Sequence, residues 1–219
     1  MVGIHWNKEM LSELDQIKSI LGDSGRVLDV GAGNGETSEL FNKNWEWEGI
    51  DIEPTNKIVT KGDAHKLEFK DDSFDLVISI ATFEHIHSPW IAINEINRVM
   101  KKGALFFGTV AFLEREHGHS YFHMSQHGIR KILEVGKFED VKVKPMAGWN
   151  VVTSMRILPY TGIYDRLKSM FIFNIRRNLI RLKVFFRSGQ SRKRALEYLE
   201  NDESRFTASF LFQGRKFLD

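Results

Sequence analysis

The sequence contains no cysteine, which excludes disulfide scaffolds, iron–sulfur clusters, Cys-ligated zinc and thiol nucleophiles. Long apolar runs are also missing. Residues 103–113, an uncharged and mostly apolar stretch, are far fewer than the roughly 20 residues that a membrane-spanning helix needs. No secretory pattern opens the chain, because His5, Lys8 and Glu9 interrupt its first residues. We therefore expect an intracellular, cytoplasmic protein.

What is present has the proportions of a folded protein. The 219 residues are 42% hydrophobic and 27% charged, which excludes disordered, collagenous and coiled-coil chains. A domain of this length buries about 70% of its unfolded surface, so one full hydrophobic core is possible without disulfides or structural metals. We expect one domain with an elaboration.

Positive charge is concentrated in one segment, residues 166–194, which holds ten basic residues and no acidic one. The whole chain carries only +2, so the rest of it carries −8. Aromatic and aliphatic residues alternate with these charges, which predicts a basic helix or helix pair. It could bind an anionic membrane surface, cover the substrate as a lid, or contact a second subunit. Nucleic acid is disfavoured because no RNA-binding motif accompanies the charge.

Apolar spacing predicts an alternation of helices and strands. Helical periodicity is found over residues 7–21, 36–42, 90–100 and 126–135, the last with Ser125 as its N-cap. Runs typical of strands cover residues 26–30, 45–51, 57–60, 74–80, 104–110, 141–143 and 207–217. Such alternation indicates an α/β fold with a doubly wound, mostly parallel sheet and helices on both faces.

A glycine-rich loop follows the first predicted strand, with Gly31, Gly33 and Gly35 before a helix. Such glycines let the backbone approach a ligand closely. Asp51 ends the next strand, 20 residues after Gly31, where a carboxylate can accept both hydroxyls of an adenosine ribose. Together these features indicate a nucleoside-containing cofactor, whereas a glycine loop alone is also consistent with a tight turn.

Position 36 distinguishes between such cofactors. A dinucleotide fingerprint has a glycine there, and this chain has Glu36. A carboxylate at that place repels a pyrophosphate but is compatible with a positively charged sulfonium that lacks phosphate. A nicotinamide-dependent reductase is therefore the weaker hypothesis, and a P-loop is excluded because no Gly-Lys-Ser/Thr follows.

Six ordered segments resemble the motifs of class I S-adenosylmethionine-dependent methyltransferases of the type 11 group. They are residues 27–35 (VLDVGAGNG), 49–54 (GIDIEP), 61–64 (KGDA), 74–79 (FDLVIS), 83–86 (FEHI) and 98–103 (RVMKKG). The resemblance implies a Rossmann-like, seven-stranded sheet of order 3-2-1-4-5-7-6 with an antiparallel last strand. It also implies S-adenosylmethionine as cofactor and S-adenosylhomocysteine as product.

Carried over residue by residue, the resemblance assigns the cofactor site. Gly31 and its neighbours would contact the methionine portion, Asp51 the ribose and Ile52 the adenine face. Asp63 would accept the adenine amine and the Ala64 backbone a ring nitrogen. The complete predicted set is Asp29, Gly31, Ala32, Gly33, Asn34, Asp51, Ile52, Asp63, Ala64, Ile80, Ala81 and Thr82. Asp29 could equally be a helix cap, Asp63 a turn former and Ile52 a core residue.

The same resemblance divides the chain. We expect a single methyltransferase domain over residues 1–219, with a helical segment (1–24) and a cofactor-binding core (25–146). A basic helical insertion (147–206) would separate strands 6 and 7, and the final strand would occupy residues 207–219. If the insertion binds lipid, the protein would be peripheral at the inner membrane surface.

Candidate catalytic residues follow the fifth predicted strand, where four of the eight histidines lie: His117, His119, His123 and His127. An imidazole that titrates near neutrality could take a proton from the acceptor. We predict His119 or His123 as the base, with His85 beside Glu84 as the second choice. No metal site is expected, because no two histidines share a helical face with an acidic third ligand.

These predictions combine into one leading hypothesis. The chain would transfer a methyl group to oxygen, or to nitrogen, of a small-molecule or lipid- or glycan-linked acceptor. The non-enzymatic alternative is a methyltransferase fold that serves as a binding module, and oligomerisation stays open.

Overall fold

The computed structural model describes residues 8–114, 116–146, 190 and 207–218. Seven strands form one sheet: β1 (Gly25–Val30), β2 (Trp45–Asp51), β3 (Val59–Lys61), β4 (Phe74–Ile80), β5 (Met100–Ala111), β6 (Phe138–Pro145) and β7 (Ser209–Lys216). Their order is β3-β2-β1-β4-β5-β7-β6, and β7 is antiparallel to both of its neighbours. The predicted fold and strand order are confirmed.

Three α-helices accompany the sheet: α1 (Lys8–Leu21), α2 (Pro89–Val99) and α3 (Gln126–Val135). Each matches a predicted helix. The Ser125 hydroxyl accepts a hydrogen bond from the Gly128 amide at 3.2 Å, so the predicted N-cap of α3 is confirmed. None of the helices in the described ranges is long and apolar enough to cross a bilayer.

Two hydrophobic layers cover the faces of the sheet. Met10, Leu14 and Ile17 of α1 pack on one face, and α2 and α3 pack on the other. In β4, Leu76 belongs to the first layer and Val77 to the second. Strands that are buried on both faces have continuous apolar runs. This is why their positions could be predicted from the sequence.

The helix predicted over residues 36–42 is instead a short 3-10 helix, Glu36–Leu40. Two local hydrogen bonds limit it. At its start, Asn34 Oδ1 accepts from the Glu36 amide at 3.3 Å, and after its end the Asn42 side chain accepts from the Asn44 amide at 2.8 Å. Asparagine side chains that bond nearby backbone compete with helix continuation, so the chain turns directly into β2.

The predicted basic insertion, residues 147–206, lies outside the described residues except for Gln190. The basic segment within it, and the choice between membrane surface, lid and subunit contact, therefore stay predictions. The two described strands that flank it, β6 and β7, pair antiparallel, for example Val143 with Phe212.

Candidate functional site

A cleft of about 580 Å³ lies where β1, β2 and β4 end at their carboxyl edge. In an open parallel sheet this edge is the ordinary ligand site, and the volume is within the usual range for small molecules. The cleft is lined by residues of the strand ends and of the loops that follow them: Val30, Gly31, Ile50, Asp51, Ile52, Glu53, Gly62, Asp63, Ala64, His65, Ala81, Thr82, His85, Ile86, His87, His119 and Tyr121. Nine of these were predicted from the sequence as cofactor-binding or catalytic residues.

The glycine loop begins with Gly31 in the left-handed region at φ +80°. The amides of Gly31 and Ala32 both donate to the Ile50 carbonyl at 2.9 Å, which ties the loop to β2. A Cβ at Gly31 would overlap the Thr82 side chain at the end of β4. Only glycine therefore combines this conformation with this close approach.

Asp51 joins the loop to β2. Its Oδ2 accepts from the Gly33 amide at 2.8 Å, and its Oδ1 accepts from the Glu53 amide at 2.9 Å. Two backbone donors fix the carboxylate while each oxygen keeps a further lone pair. The side chain is thus oriented at the cleft wall with capacity to accept ligand hydroxyls.

Asp29 lies beneath the loop and is only 1% exposed. The Thr37 hydroxyl donates to Asp29 Oδ2 and itself accepts from the Trp47 indole at 3.0 Å. Burial raises the pKa of Asp29 to about 7, with a smaller increase from the Asp51 charge and an opposing decrease from the Thr37 hydrogen bond. Asp29 does not line the cleft, and its described contacts support the loop.

Asp63 lies on the far wall beside a pair of histidines. The His65 amide donates to Asp63 Oδ1 at 2.9 Å, and His65 Nδ1 lies 2.6 Å from the same oxygen. Partial burial raises the pKa of Asp63, but the His65 hydrogen bonds and charge outweigh it, so the pKa is lowered. The rings of His65 and His87 stack with centroids 4.1 Å apart.

Ile52 and Ala81 complete the part of the cleft near β2 and β4. Ile52 is 63% exposed, unusual for isoleucine, and offers an apolar surface to a ligand. Ala81 has φ +50°, and its amide donates to the Thr109 hydroxyl at 3.0 Å. A non-glycine residue in this conformation is strained, and such strain is concentrated at ligand sites.

His85, His119 and Tyr121 form the opposite end of the cleft. Desolvation lowers the pKa of His85, helped by the neighbouring His117, so burial favours its neutral form. A neutral imidazole has a lone pair for a proton or a metal ion. The third predicted base, His123, does not line the cleft, because its Nδ1 contacts the Phe112 carbonyl at 3.2 Å.

Glu84 lies behind this end and is only 1% exposed. Burial raises its pKa to about 7. Hydrogen bonds from the Glu84 and Ala111 amides and the His117 charge lower it, and the Glu114 charge raises it further. The residue begins no helix beyond one 3-10 turn, Phe83–His85.

Several lining residues were missed from the sequence: His65, His87, Tyr121, Glu53 and Gly62. His65 follows Asp63 by two positions, a spacing that allows a side chain to bond its own turn. Conversely, Ala32, Gly33, Asn34 and Ile80 do not line the cleft, although the Gly33 amide holds Asp51. Their assigned roles stay predictions.

Comparison with known families adds to this geometry. Residues 28–108, which are less than half of the chain, match the family model described as a methyltransferase domain. Over these residues the chain is similar to that family. The resemblance read from the motifs is confirmed, and the matched segment spans the loop of Gly31 and the end of the cleft at Ala81 and His85.

Two curated relatives match part of the chain. An uncharacterized protein of Methanocaldococcus jannaschii is 34% identical in an alignment of 116 residues that covers 49% of this chain and 46% of that protein. A phosphatidylethanolamine N-methyltransferase of Cereibacter sphaeroides is 29% identical in an alignment of 96 residues that covers 36% of this chain and 47% of that protein. The chain thus matches about half the length of these relatives.

Solved structures agree in fold. A SAM-dependent methyltransferase from Archaeoglobus fulgidus has a TM-score of 0.59 at 16% identity, with 95% of this chain and 94% of that chain covered. Phosphoethanolamine N-methyltransferase 2 of Haemonchus contortus, solved with S-adenosyl-L-methionine, has a TM-score of 0.52 at 19% identity, with 93% and 52% covered. At identities of 16–19%, this similarity shows the fold alone. The predicted cofactor, S-adenosylmethionine, is the one named for both of these structures.

Proposed function

We propose that this methyltransferase domain binds S-adenosylmethionine in the cleft and transfers its methyl group to oxygen of a small-molecule or lipid- or glycan-linked acceptor. The observation that carries the proposal is the joint placement of the Gly31 loop, Asp51 and Ile52 on one wall. No lysine or arginine is found among the described lining residues. Such a wall suits a nucleoside with a sulfonium better than a pyrophosphate.

Each wall has an assigned role in this proposal. The Gly31 loop receives the methionine portion, and Asp51 accepts the ribose hydroxyls with its remaining lone pairs. Ile52 packs on the adenine, which covers its exposed surface. Asp63 accepts the adenine amine, with Ala64 supplying the backbone contact.

The transfer itself is an in-line displacement in which the sulfonium charge disperses. Holding the acceptor against the methyl group supplies much of the rate. An acceptor hydroxyl or ammonium must also lose a proton, and His119 is exposed at the cleft wall for this purpose. His85 lies at the same end, whereas His123 is displaced from the wall, which favours His119 over His123 as the base.

Nitrogen is the second candidate for the acceptor atom. The relative named phosphatidylethanolamine N-methyltransferase supports it, since its name states an amine acceptor. An amine with a pKa above neutrality needs the same proton acceptor as a hydroxyl. The cleft geometry is therefore compatible with methylation of either oxygen or nitrogen. Identifying the methylated product would distinguish the two.

The remaining expectations belong to the same proposal. We retain one domain over residues 1–219, in which the insertion over residues 147–206 shapes the acceptor site. A cytoplasmic location, with peripheral attachment through residues 166–194, is tested by sedimentation with anionic vesicles at low salt. A protein that never sediments contradicts that attachment.

Thermal unfolding with separate additions of S-adenosylmethionine, S-adenosylhomocysteine and NADH tests the cofactor. A ligand at a hundred times its dissociation constant stabilises by about 2.7 kcal/mol, or roughly 5 °C or more for a chain of this size. We expect such an increase with the first two ligands and none with NADH. An increase with NADH alone overturns the proposal, and no increase with any ligand favours a binding module that has lost its cofactor.

A further inference from the structure

Three side chains with metal-ligating atoms meet behind the end of the cleft that His85, His119 and Tyr121 form, which we call the acceptor end. One carboxylate oxygen of Glu84 and one ring nitrogen each of His85 and His117 lie within 4.8 Å of one another. Glu84 and His85 belong to the turn after β4, and His117 belongs to the loop after β5. The sequence predicted no metal site because it considered only ligands spaced along one helix. In the fold, the three residues come from two different loops.

Glu84 supplies an independent observation at this cluster. Its Oε2 is buried and has no hydrogen-bond partner among the described residues. The Glu84 and Ala111 amides hydrogen-bond the carboxyl group, but an oxygen that is itself buried without a partner is still costly, because nothing replaces the water it lost. A cation held by Glu84, His85 and His117 would compensate this cost.

The backbone holds one of the two histidines, His85, in place. The His85 ring makes a hydrogen bond with the His119 backbone. A ring that donates through one nitrogen carries its lone pair on the other, which is the usual state of a metal-bound histidine.

A fourth nitrogen lies beside the cluster. The His123 ring centroid is 5.8 Å from that of His117. Its Nδ1 faces the Phe112 carbonyl, so that nitrogen carries the proton, and its buried Nε2 has no partner among the described residues. Two buried polar atoms without described partners, Glu84 Oε2 and His123 Nε2, are therefore found in or beside the cluster of Glu84, His85 and His117.

We propose that Glu84, His85 and His117 bind a divalent transition-metal ion such as Zn²⁺. Two imidazoles and one carboxylate form a ligand set that suits Zn²⁺ and its neighbours and leaves a coordination position open, whereas Mg²⁺ prefers oxygen ligands. Because His85 also lines the cleft, the ion adjoins the acceptor end. An acceptor hydroxyl bound to it would lose its proton more readily, and this second part rests on the proposed function.

The test uses the purified full chain after metal removal by a chelator. Titration with Co²⁺ is expected to give visible ligand-field absorption that saturates at one equivalent and is removed by Zn²⁺. Glu84→Gln and His117→Ala should each weaken Co²⁺ binding at least tenfold, while His127→Ala, at an exposed position of α3, should leave it unchanged.

Circular dichroism verifies folding of each variant, and His117→Ala, in a half-buried loop, keeps the test informative if the buried Glu84→Gln change impairs folding. Absence of Co²⁺ absorption, equal binding by all three variants, or binding of Mg²⁺ in preference to Co²⁺ and Zn²⁺ would each overturn the proposal. S-adenosylmethionine binding is measured on the same metal-free samples. Retained cofactor binding without metal binding contradicts the metal site alone, whereas loss of cofactor binding contradicts the proposed function.

Discussion

The two ends of the cleft differ in how their polar groups are satisfied. We call the part of the cleft near the Gly31 loop, Asp51 and Ile52 the cofactor end. There, the described carboxylates of Asp29, Asp51 and Asp63 each accept hydrogen bonds from the protein. At the acceptor end, Glu84 Oε2, Ser120 Oγ and His123 Nε2 are buried without partners among the described residues. Buried polar groups are normally paired. Under the proposed function, the protein itself would complete the hydrogen bonds of the cofactor end, whereas a bound ligand would complete those of the acceptor end.

The largest expected effect comes from breaking the preformed loop. Gly31→Ala places a methyl group in left-handed backbone and against Thr82, which together cost about 2–5 kcal/mol. Gly33→Ala is the matched control, because its φ is +56° but its Cβ would meet open space. We expect calorimetry to show much weaker S-adenosylmethionine binding for the first variant than for the second. Equal losses would mean that the contact with Thr82 does not shape the loop.

A second prediction concerns the support beneath the loop. Because burial raises the pKa of Asp29 to about 7, folding favours its protonated form. The stability it contributes is complete below its unfolded pKa, about 4, and is lost as the pH rises towards 7. Relative to Asp29→Asn, the free energy of unfolding of the wild type should fall by about 2–3 kcal/mol between about pH 5 and pH 7. Urea unfolding measures this difference, and a constant difference contradicts a buried, ionising Asp29.

The ribose contact has a smaller expected effect. Asp51→Asn keeps the size of the side chain but replaces the charged carboxylate, which accepts hydrogen bonds from the Gly33 and Glu53 amides, with a neutral amide. Loss of charged hydrogen bonds should weaken S-adenosylmethionine binding by about 10- to 100-fold. Glu46→Gln, exposed on the same strand, is the control and should bind normally. An unchanged affinity for Asp51→Asn would mean that the ribose lies elsewhere.

The smallest effect is expected at the edge of the cofactor end. His65→Ala removes the ring contact with Asp63 but keeps the backbone hydrogen bond. The pKa of Asp63 should rise, and cofactor affinity should fall only a few-fold, since an exposed ion pair contributes about 0.2–1 kcal/mol. Titration calorimetry at two salt concentrations measures this loss. A loss as large as that of Asp51→Asn would show that His65 itself contacts the cofactor.

The same contrast explains what the sequence could and could not predict. Gly31 and Asp51 lie at the ends of neighbouring parallel strands, whose carboxyl ends meet at one edge, so spacing along the chain predicted that they come together, whereas Asp63 was assigned through the family resemblance. Glu84 and His117 come together through two loops whose paths depend on long-range packing. No local periodicity encodes such a meeting, which is why the cluster was missed.

His119 and His123 illustrate the limit at the level of single residues. They are four positions apart in the same segment, yet only His119 lines the cleft, because His123 faces the Phe112 carbonyl. The length of the helix after the glycine loop was also mispredicted, since the Asn42 side chain bonds the following backbone and ends it.

Amide chemical-shift mapping with S-adenosylhomocysteine on the ¹⁵N-labelled full chain tests the central claim most directly. The account predicts that the largest shifts occur at the amides of Gly31, Gly33, Ile52 and Ala64, which surround the cofactor end of the cleft. The amides of α3, such as Lys131 and Glu134 on its exposed face, should hardly change. Absence of shifts, or shifts concentrated away from the Gly31 loop and Asp51, would contradict the account.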